Sequence, residues 1–134
     1  MAKDISKAIT KLESEAAWTN MMAISDKKLV VVDIYSEWCG PCDAMLPTFS
    51  KVFIEFEGAD DRIVIAAASI SKLGTLIQPT LPRESPQVHL DKHGCCPIFA
   101  LYRGRTCLGV VIAPDAAVLL NQISLNIPDR PSKD

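Results

Sequence analysis

The sequence lacks the features of several common protein classes. Its formal net charge is −2 over 134 residues, so it has no basic excess for nucleic acid and no polybasic patch for anionic lipid. No apolar stretch approaches the length of a membrane span, and residues 1–7 lack the apolar core of a secretory signal. We therefore expect neither nucleic acid nor a membrane as a partner, and we expect a cytoplasmic location.

A disulfide framework and a metal site are not expected either. Five cysteines, an odd number, fit reduced thiols in a reducing compartment. A single C-x-x-C without a second pair argues against zinc, and His89 and His93 lie in a proline-rich stretch that offers no helix to align them. The composition, 49% apolar and 22% charged, is ordinary for a soluble globular protein, and 134 residues fit one domain. No cofactor is expected.

What the sequence does have is a pair of thiols directly after a long apolar run. The run Leu29–Tyr35 reads as a central strand and is followed by Trp38-Cys39-Gly40-Pro41-Cys42. If Cys39 begins a helix, unpaired N–H groups and the helix dipole favour its nucleophilic thiolate. Cys42, one turn later, then attacks the mixed disulfide. The pattern predicts a thiol–disulfide exchange site.

Asp33 is the one charged residue inside this apolar run. A buried carboxylate is costly to ionise, so a protonated Asp33 close to Cys42 would exchange a proton with that thiol. The alternative is a partly solvated acid at the end of a strand.

Two segments resemble a known family. Asp33 to Cys42, with Pro47 five residues later, resembles the active-site segment of thioredoxin, and Cys96-Pro97 with the apolar run after it resembles that family's cis-proline segment. The resemblance covers about residues 9–125 and implies the α/β thioredoxin fold, a central mixed β-sheet flanked by helices on both faces. The stretch Leu29–Cys39 also resembles the thioredoxin-like light chains of axonemal outer-arm dynein.

The resemblance implies a role for each matching position. Cys39 is the expected nucleophile, Cys42 the resolving thiol and Asp33 the proton carrier, with an NADPH-linked thioredoxin reductase renewing the dithiol. The expected supporting positions are Trp38, Gly40, Pro41, Cys96 and Pro97. Cys95 and Cys96 are either inert, partly buried side chains, or one of them forms an alternative or intermolecular disulfide; Cys95 is the candidate regulatory thiol.

The chain departs from the family pattern in three places. Ala67 stands where thioredoxins usually have a lysine near the buried aspartate, and Ser71 replaces an acid near the end of the third strand. Residues 79–94 carry three prolines and form a predicted insertion loop. This loop is either a tolerated surface insertion or a partner-docking segment.

The periodicity predicts the element order β-α-β-α-β-α-β-β-α within a domain of residues 1–126, followed by a tail of residues 127–134. Ser14 is the predicted N-cap of the first helix, and Pro47 is predicted to kink the second. The apolar faces predicted for the second and last helices are Leu46, Phe49, Phe53 and Phe56, and Ala117, Leu120 and Ile123 or Leu125.

These observations predict a thioredoxin-like exchange or redox-sensing light chain of a ciliary or flagellar outer-arm dynein. The expected partners are the tail region of a dynein heavy chain, other outer-arm subunits and disulfide-bearing proteins. One alternative is a free cytosolic thioredoxin that reduces many proteins. Another is a docking module whose redox site is vestigial.

Overall fold

The computed structural model describes residues 9–36, 46–81, 98–112 and 116–128. Within these ranges, five strands form one mixed sheet in the order β1-β3-β2-β4-β5. Strands β1, β2 and β3 are mutually parallel, whereas β4 is antiparallel to both β2 and β5. The elements, in chain order, are β1 Ile9–Leu12, α1 Glu15–Ile24, β2 Leu29–Tyr35, α2 Leu46–Glu55, α3 Ala59–Arg62, β3 Ile63–Ser69, α4 Ile70–Ile77, a 3₁₀ turn Gln78–Thr80, β4 Ile98–Arg103, β5 Thr106–Ile112 and α5 Ala116–Asn126.

The predicted order of elements is confirmed, with two additions, the helix α3 and the 3₁₀ turn after α4. Gly58 adopts a left-handed conformation, φ 68°, and after it the single-turn helix α3 precedes β3. At α1, the Ser14 hydroxyl accepts a hydrogen bond from the Ala17 N–H at 3.1 Å, so the predicted N-cap is confirmed.

Each face of the sheet carries its own apolar cluster, because side chains alternate along every strand. One cluster contains Val30, Val32, Ala66 and Tyr102 together with the buried residues of α1 and α4. The other contains Val31, Ile65 and Phe99 together with the buried residues of α2 and α5. Strand β2 is buried along almost its entire length because helices cover both faces, as its continuous apolar run predicted.

The predicted apolar face of α2 is confirmed, whereas that of α5 needs correction. In α2, Phe49 is fully buried, Leu46, Phe53 and Phe56 are partly buried against the same cluster, and Val52 is a further buried residue. In α5, Leu119 and Ile123 are buried, whereas Leu125 is 70% exposed. The sequence of α5 has apolar residues at most positions, so its periodicity left the rotation of the helix undetermined; packing on β4 and β5 selects the face.

The start of the predicted insertion loop also differs from expectation. Pro79 lies in the 3₁₀ turn that continues α4, instead of opening an extended loop. A proline fits there because the first positions of a helical turn need no backbone donor. Residues 82–94, the rest of the predicted insertion, lie outside the described residues. So do residues 37–45, on which the predicted kink at Pro47 depends.

Candidate functional site

Three strand ends meet at one edge of the sheet. Tyr35, the last residue of β2, pairs with Ser69, the last residue of β3, and Ile34 pairs with Ile98, the first residue of β4. We call this edge, at Tyr35, Ser69 and Ile98, the exit edge. In mixed and parallel sheets, binding and catalytic groups commonly sit where strands end at such an edge.

Most of the sequence-predicted site residues belong to chain segments that are attached to the exit edge. Residues 37–45 join Ser36, just after β2, to the start of α2 at Leu46, and residues 82–97 lead directly into Ile98. The thiol and supporting positions themselves lie outside the described residues, so their roles remain predictions. These positions are Trp38, Cys39, Gly40, Pro41, Cys42, Cys95, Cys96 and Pro97.

Asp33 is the predicted site residue that the structure does describe. It is 3% exposed and lies two positions before the end of β2. Its sheet neighbours are Ala67 on β3 and Phe99 on β4. A carboxylate in this position has left water, so its ionisation costs free energy unless a partner compensates. The predicted burial of Asp33 is confirmed, and the partly solvated alternative is wrong.

The face of the sheet that carries Asp33 is the face that α2 covers. Asp33 and Val31 are two positions apart on β2 and therefore share a face of the sheet. Val31 belongs to the same cluster as Phe49 of α2, whereas Val32 belongs to the cluster on the other face. Helix α2 begins at Leu46, four residues after Cys42. The helix that follows the thiol motif therefore packs above the strand that holds the buried acid.

Ala67 occupies the sheet position directly beside Asp33 and is itself 1% exposed. This register supports the expectation that a lysine at position 67 would lie next to the acid. With alanine there, β3 offers no cation to the Asp33 carboxyl at that position. At the end of the same strand, the hydroxyls of Ser69 and Ser71 lie 2.9 Å apart and share a hydrogen bond.

All four helices of eight or more residues in the described ranges follow strands that end at the exit edge. They begin after β1, β2, β3 and β5, and the ends of these strands are joined by the pairs Leu12–Ala68, Tyr35–Ser69 and Ile98–Ile112. Their N-termini, the positive ends of the helix dipoles, therefore face this edge. An anion such as a thiolate is favoured there.

Cys107 lies away from the exit edge. It pairs with Tyr102, four positions after Ile98 on β4, and its side chain is half-buried. Burial raises the pKa of the Cys107 thiol, although hydrogen bonding to backbone at Gly109 and Leu101 opposes this. A higher pKa lowers the fraction of Cys107 that is thiolate, the nucleophilic form.

A long-range contact that the sequence did not predict anchors the end of α4. The Thr80 hydroxyl lies 2.7 Å from the Tyr102 hydroxyl and donates to the Ile77 carbonyl at 2.6 Å. Tyr102 and Ile98 are about 13 Å apart along β4, whereas residues 82–97 would span roughly 50 Å if extended. The chain between these anchored ends is thus much longer than the gap it closes.

The described residues offer no alternative centre of metal chemistry. Among them, no group of three or more His, Cys, Asp or Glu side chains is arranged to hold a metal ion. No helix in the described ranges has the length and apolarity to cross a bilayer.

Comparison with known proteins agrees with this architecture. The family model for thioredoxin matches residues 9–105. This chain belongs to the thioredoxin family. The thioredoxin of Nicotiana alata superimposes with a TM-score of 0.64 at 20% identity, over 90% of this chain and 94% of that one. The predicted thioredoxin fold is thereby confirmed.

This thioredoxin-family chain is similar to curated proteins of different kinds, of which three are described here. Thioredoxin domain-containing protein 3 of Homo sapiens is 36% identical over 124 residues, 92% of this chain and 18% of that protein. The flagellar outer-arm dynein 16 kDa light chain of Chlamydomonas reinhardtii is 32% identical over 80 residues, 60% of this chain and 45% of that one. Thioredoxin-1 of Saccharomyces cerevisiae is 35% identical over 72 residues, 54% of this chain and 66% of that one. The chain thus spans less than half of the first two relatives.

Proposed function

We propose that this thioredoxin-like protein is a thiol–disulfide exchange and redox-sensing light chain of a ciliary or flagellar outer-arm dynein. The thiol chemistry in this proposal is supported by one observation, that both cysteine-containing segments are attached to the exit edge. The segment with Cys39 and Cys42 leaves β2 there, and the segment with Cys95, Cys96 and Pro97 enters β4 beside it.

The exchange conserves electrons and atoms. The Cys39 thiolate attacks one sulfur of a substrate disulfide, forming a mixed disulfide and releasing the other substrate sulfur as a thiolate. The Cys42 sulfur, after losing its proton, attacks Cys39 and releases the second substrate thiolate. The protein leaves the cycle with a Cys39–Cys42 disulfide, and the substrate has gained two electrons. An NADPH-linked thioredoxin reductase then supplies two electrons from NADPH, which reduce the Cys39–Cys42 disulfide back to the dithiol.

In this proposal, Asp33 accepts the proton from Cys42. Its burial two positions before the end of β2, on the face that α2 covers, supports this role. Because position 67 is alanine, β3 supplies no cation there that would lower the proton affinity of the Asp33 carboxyl. The ionised form of Asp33 is therefore a strong base, and it is this form that takes the proton from Cys42 when that thiol becomes the attacking thiolate.

The supporting residues shape the thiol site and position the substrate. Trp38 covers the thiols, Gly40 allows the substrate backbone to approach, and Pro41 sets the first turn of the helix. Cys96 and Pro97 present backbone to an extended substrate segment, which pairs with it as a short added strand. Cys95 is the proposed regulatory thiol.

The assembly part of the proposal comes from the relatives. The Chlamydomonas reinhardtii protein is named as a flagellar outer-arm light chain. By extension, this chain binds the tail region of a dynein heavy chain and other outer-arm subunits, in the cytoplasm and the axoneme. The proposed insertion is shortened to residues 82–94, because Pro79 and Thr80 belong to the 3₁₀ turn. The proposed folded unit is extended from residue 126 to Pro128, because Ile127 packs on the same cluster as Phe49 and the Pro128 carbonyl accepts a hydrogen bond from Arg62 Nε at 2.7 Å; residues 129–134 are the proposed tail.

A free cytosolic thioredoxin is the second candidate. The similarity to yeast thioredoxin-1 favours it, since that protein is matched over 66% of its own length. In this reading, the same thiol chemistry serves many unrelated soluble proteins.

A trapping experiment separates the two candidates. A Cys42→Ser variant lacks the resolving thiol, so it accumulates mixed disulfides through Cys39. Incubated with an extract of ciliated or flagellated cells, it is washed with salt and then with dithiothreitol. We expect dynein heavy chain among the eluted proteins, with part of it leaving only with reductant.

The matched control is the Cys39→Ser/Cys42→Ser double variant, which retains noncovalent docking and loses covalent capture. Heavy chain that both proteins release with salt alone would support docking without exchange. If the single variant releases many soluble proteins with reductant and neither variant retains motor subunits, the protein is a general thioredoxin.

A further inference from the structure

Strand β5 is an outer strand of the sheet that lacks most of the features that protect such strands. Its outer side pairs with no strand in the described ranges, because the sheet order ends at β5. Outer strands are usually protected by charged residues, proline or a bulge. Strand β5, Thr106–Ile112, has neither charge nor proline, and its bulge lies at Leu108, which is 43% exposed. The other outer strand, β1, is shorter and carries Lys11, so β5 is the better suited of the two to pair with a further strand.

Helix α5 extends this uncharged surface on one face of the sheet. Val118, Gln122 and Leu125 are four and three positions apart, so they lie along one side of the helix. That side faces β5, because the Gln122 side-chain oxygen lies 3.5 Å from the point where a Cβ on Gly109 would stand. Val118 is 44% exposed and Leu125 is 70% exposed. Helix α5 has no charged residue, although 22% of the residues of the chain are charged. We call β5 together with these three residues of α5 the uncharged edge.

The middle of the strand and the middle of the helical side lie next to each other. Gly109 is the central residue of β5, and Gln122 lies between Val118 and Leu125. A two-fold axis perpendicular to the sheet, passing just outside Gly109, would therefore be central to both elements. It would pair β5 with the antiparallel β5 of a second copy and set Val118 opposite Leu125 of that copy. A surface without charge meets itself in this way without like-charge repulsion.

The spacing of the elements fits this arrangement. Paired strands lie about 4.8 Å apart, so the two-fold axis would pass roughly 2.4 Å outside β5. Helix α5 contacts both β4 and β5, so its own axis lies above the gap between these strands. By the same strand spacing, the helix is about 5 Å from the two-fold axis. The two copies of α5 would then be about 10 Å apart, a usual distance for packed helices, so the strand pairing and the helix contact can form together.

We propose that the uncharged edge joins two copies of this chain into a two-fold dimer with one continuous sheet. The interface consists of one strand and one side of a helix, so it is small and the dimer should be weak. Strand β5 ends at the exit edge and the paired strands are antiparallel, so the two exit edges would point in opposite directions and stay open to disulfide substrates. A charged peptide fits less well, because no charge on this surface would select it. The inference goes beyond the exchange chemistry and does not depend on it.

The test is analytical ultracentrifugation of the full chain over a range of concentrations, in dithiothreitol so that intermolecular disulfides are excluded. We expect the mass to rise from that of the monomer toward that of the dimer, with a Kd in the micromolar range that suits a small interface. Deuterium exchange is the second measurement. The amides of β5 should exchange more slowly at high protein concentration, because pairing protects their N–H groups.

Two variants place a charge on the uncharged edge. Leu125→Lys replaces an apolar contact with a charge at two symmetry-related places, so the Kd should rise at least about tenfold. Leu108→Lys adds a charge to the pairing strand and should weaken the dimer in the same way. Both side chains are exposed, so both variants should keep the fold. The matched control is Ile54→Lys, the same kind of change at a 79% exposed residue of α2 outside the uncharged edge, and it should leave the Kd unchanged.

Any of four results would overturn the proposal. The first is a mass that stays at that of the monomer at every concentration, and the second is a Kd that rises no more in Leu125→Lys than in Ile54→Lys. The third is deuterium exchange in β5 that does not depend on concentration. The fourth is association that continues beyond two copies, which a closed two-fold contact excludes. None of these measurements involves the thiols, so failure here leaves the exchange proposal standing.

Discussion

Removing the two hydroxyls that link α4 to β4 tests a contact that no local sequence pattern indicates. Thr80 has a single hydroxyl hydrogen, and it is directed to the Ile77 carbonyl. The Tyr102 hydroxyl must therefore be the donor in the 2.7 Å contact with Thr80. Tyr102 is completely buried, and its ring packs edge-on against Trp18 at 5.5 Å.

The two single substitutions should differ in cost. Tyr102→Phe removes the donor and leaves Thr80 still bonded to Ile77, so the free energy of unfolding should fall by about 1 kcal/mol. Thr80→Val removes the acceptor and leaves the buried Tyr102 hydroxyl without a partner, which costs about 2 kcal/mol. The double variant leaves no unpaired hydroxyl, so its cost should be about 2 kcal/mol, below the summed costs of the single variants.

Urea unfolding of the wild type and the three variants measures these differences. For a domain of this size, each kcal/mol corresponds to a change in Tm of about 3–5 °C. A double variant whose loss equals the sum of the single losses would show that the two hydroxyls do not interact. A Thr80→Val variant that is more stable than Tyr102→Phe would contradict the assigned direction of the hydrogen bond.

Two further predictions concern protons. Burial is the main cause that raises the pKa of Tyr102 in the folded protein, so unfolding releases a proton at high pH; stability should be intact below about pH 10 and fall above it. Tyr102→Phe should make this decline shallower, as urea midpoints at pH 8 and pH 10.5 will show, and equal slopes would reject the assignment. For the exchange reaction, Asp33→Asn should slow disulfide reduction about tenfold, below the usual range for general acid–base catalysis because a thiol also exchanges protons with water. Glu55→Gln, a change at an exposed acid of α2, is the control, and an unchanged rate in Asp33→Asn would remove Asp33 from the mechanism.

Local sequence patterns were sufficient to predict structure where a residue type has one main structural use. Ser14 predicted the start of α1 because a side-chain oxygen there satisfies a free N–H. The run Leu29–Tyr35 predicted a strand covered on both faces, and Asp33 within it predicted a buried acid. In the turn between β4 and β5, Gly104 has a positive φ, a conformation that glycine adopts without strain.

Features that depend on distant partners were not predictable in this way. The buried face of α5 follows from its packing on the sheet, which selects Leu119 over Leu125. The contact between Thr80 and Tyr102 joins residues 22 positions apart, and neither residue carries a local sign of the other. The placement of Asp33 beside Ala67 required the register of two parallel strands, whereas the thiol motif itself was readable from its spacing alone.

The sheet order also has a consequence for folding during synthesis. β4–β5 is the one strand pair in the described ranges that a short turn joins, so it can form within microseconds. Strand β2 completes its ladder only when β4 has been made, because β4 supplies its antiparallel neighbour. On the ribosome, the first half of the chain, which contains Asp33, Cys39 and Cys42, therefore cannot complete the pairing of its central strand β2 until β4 has been synthesised.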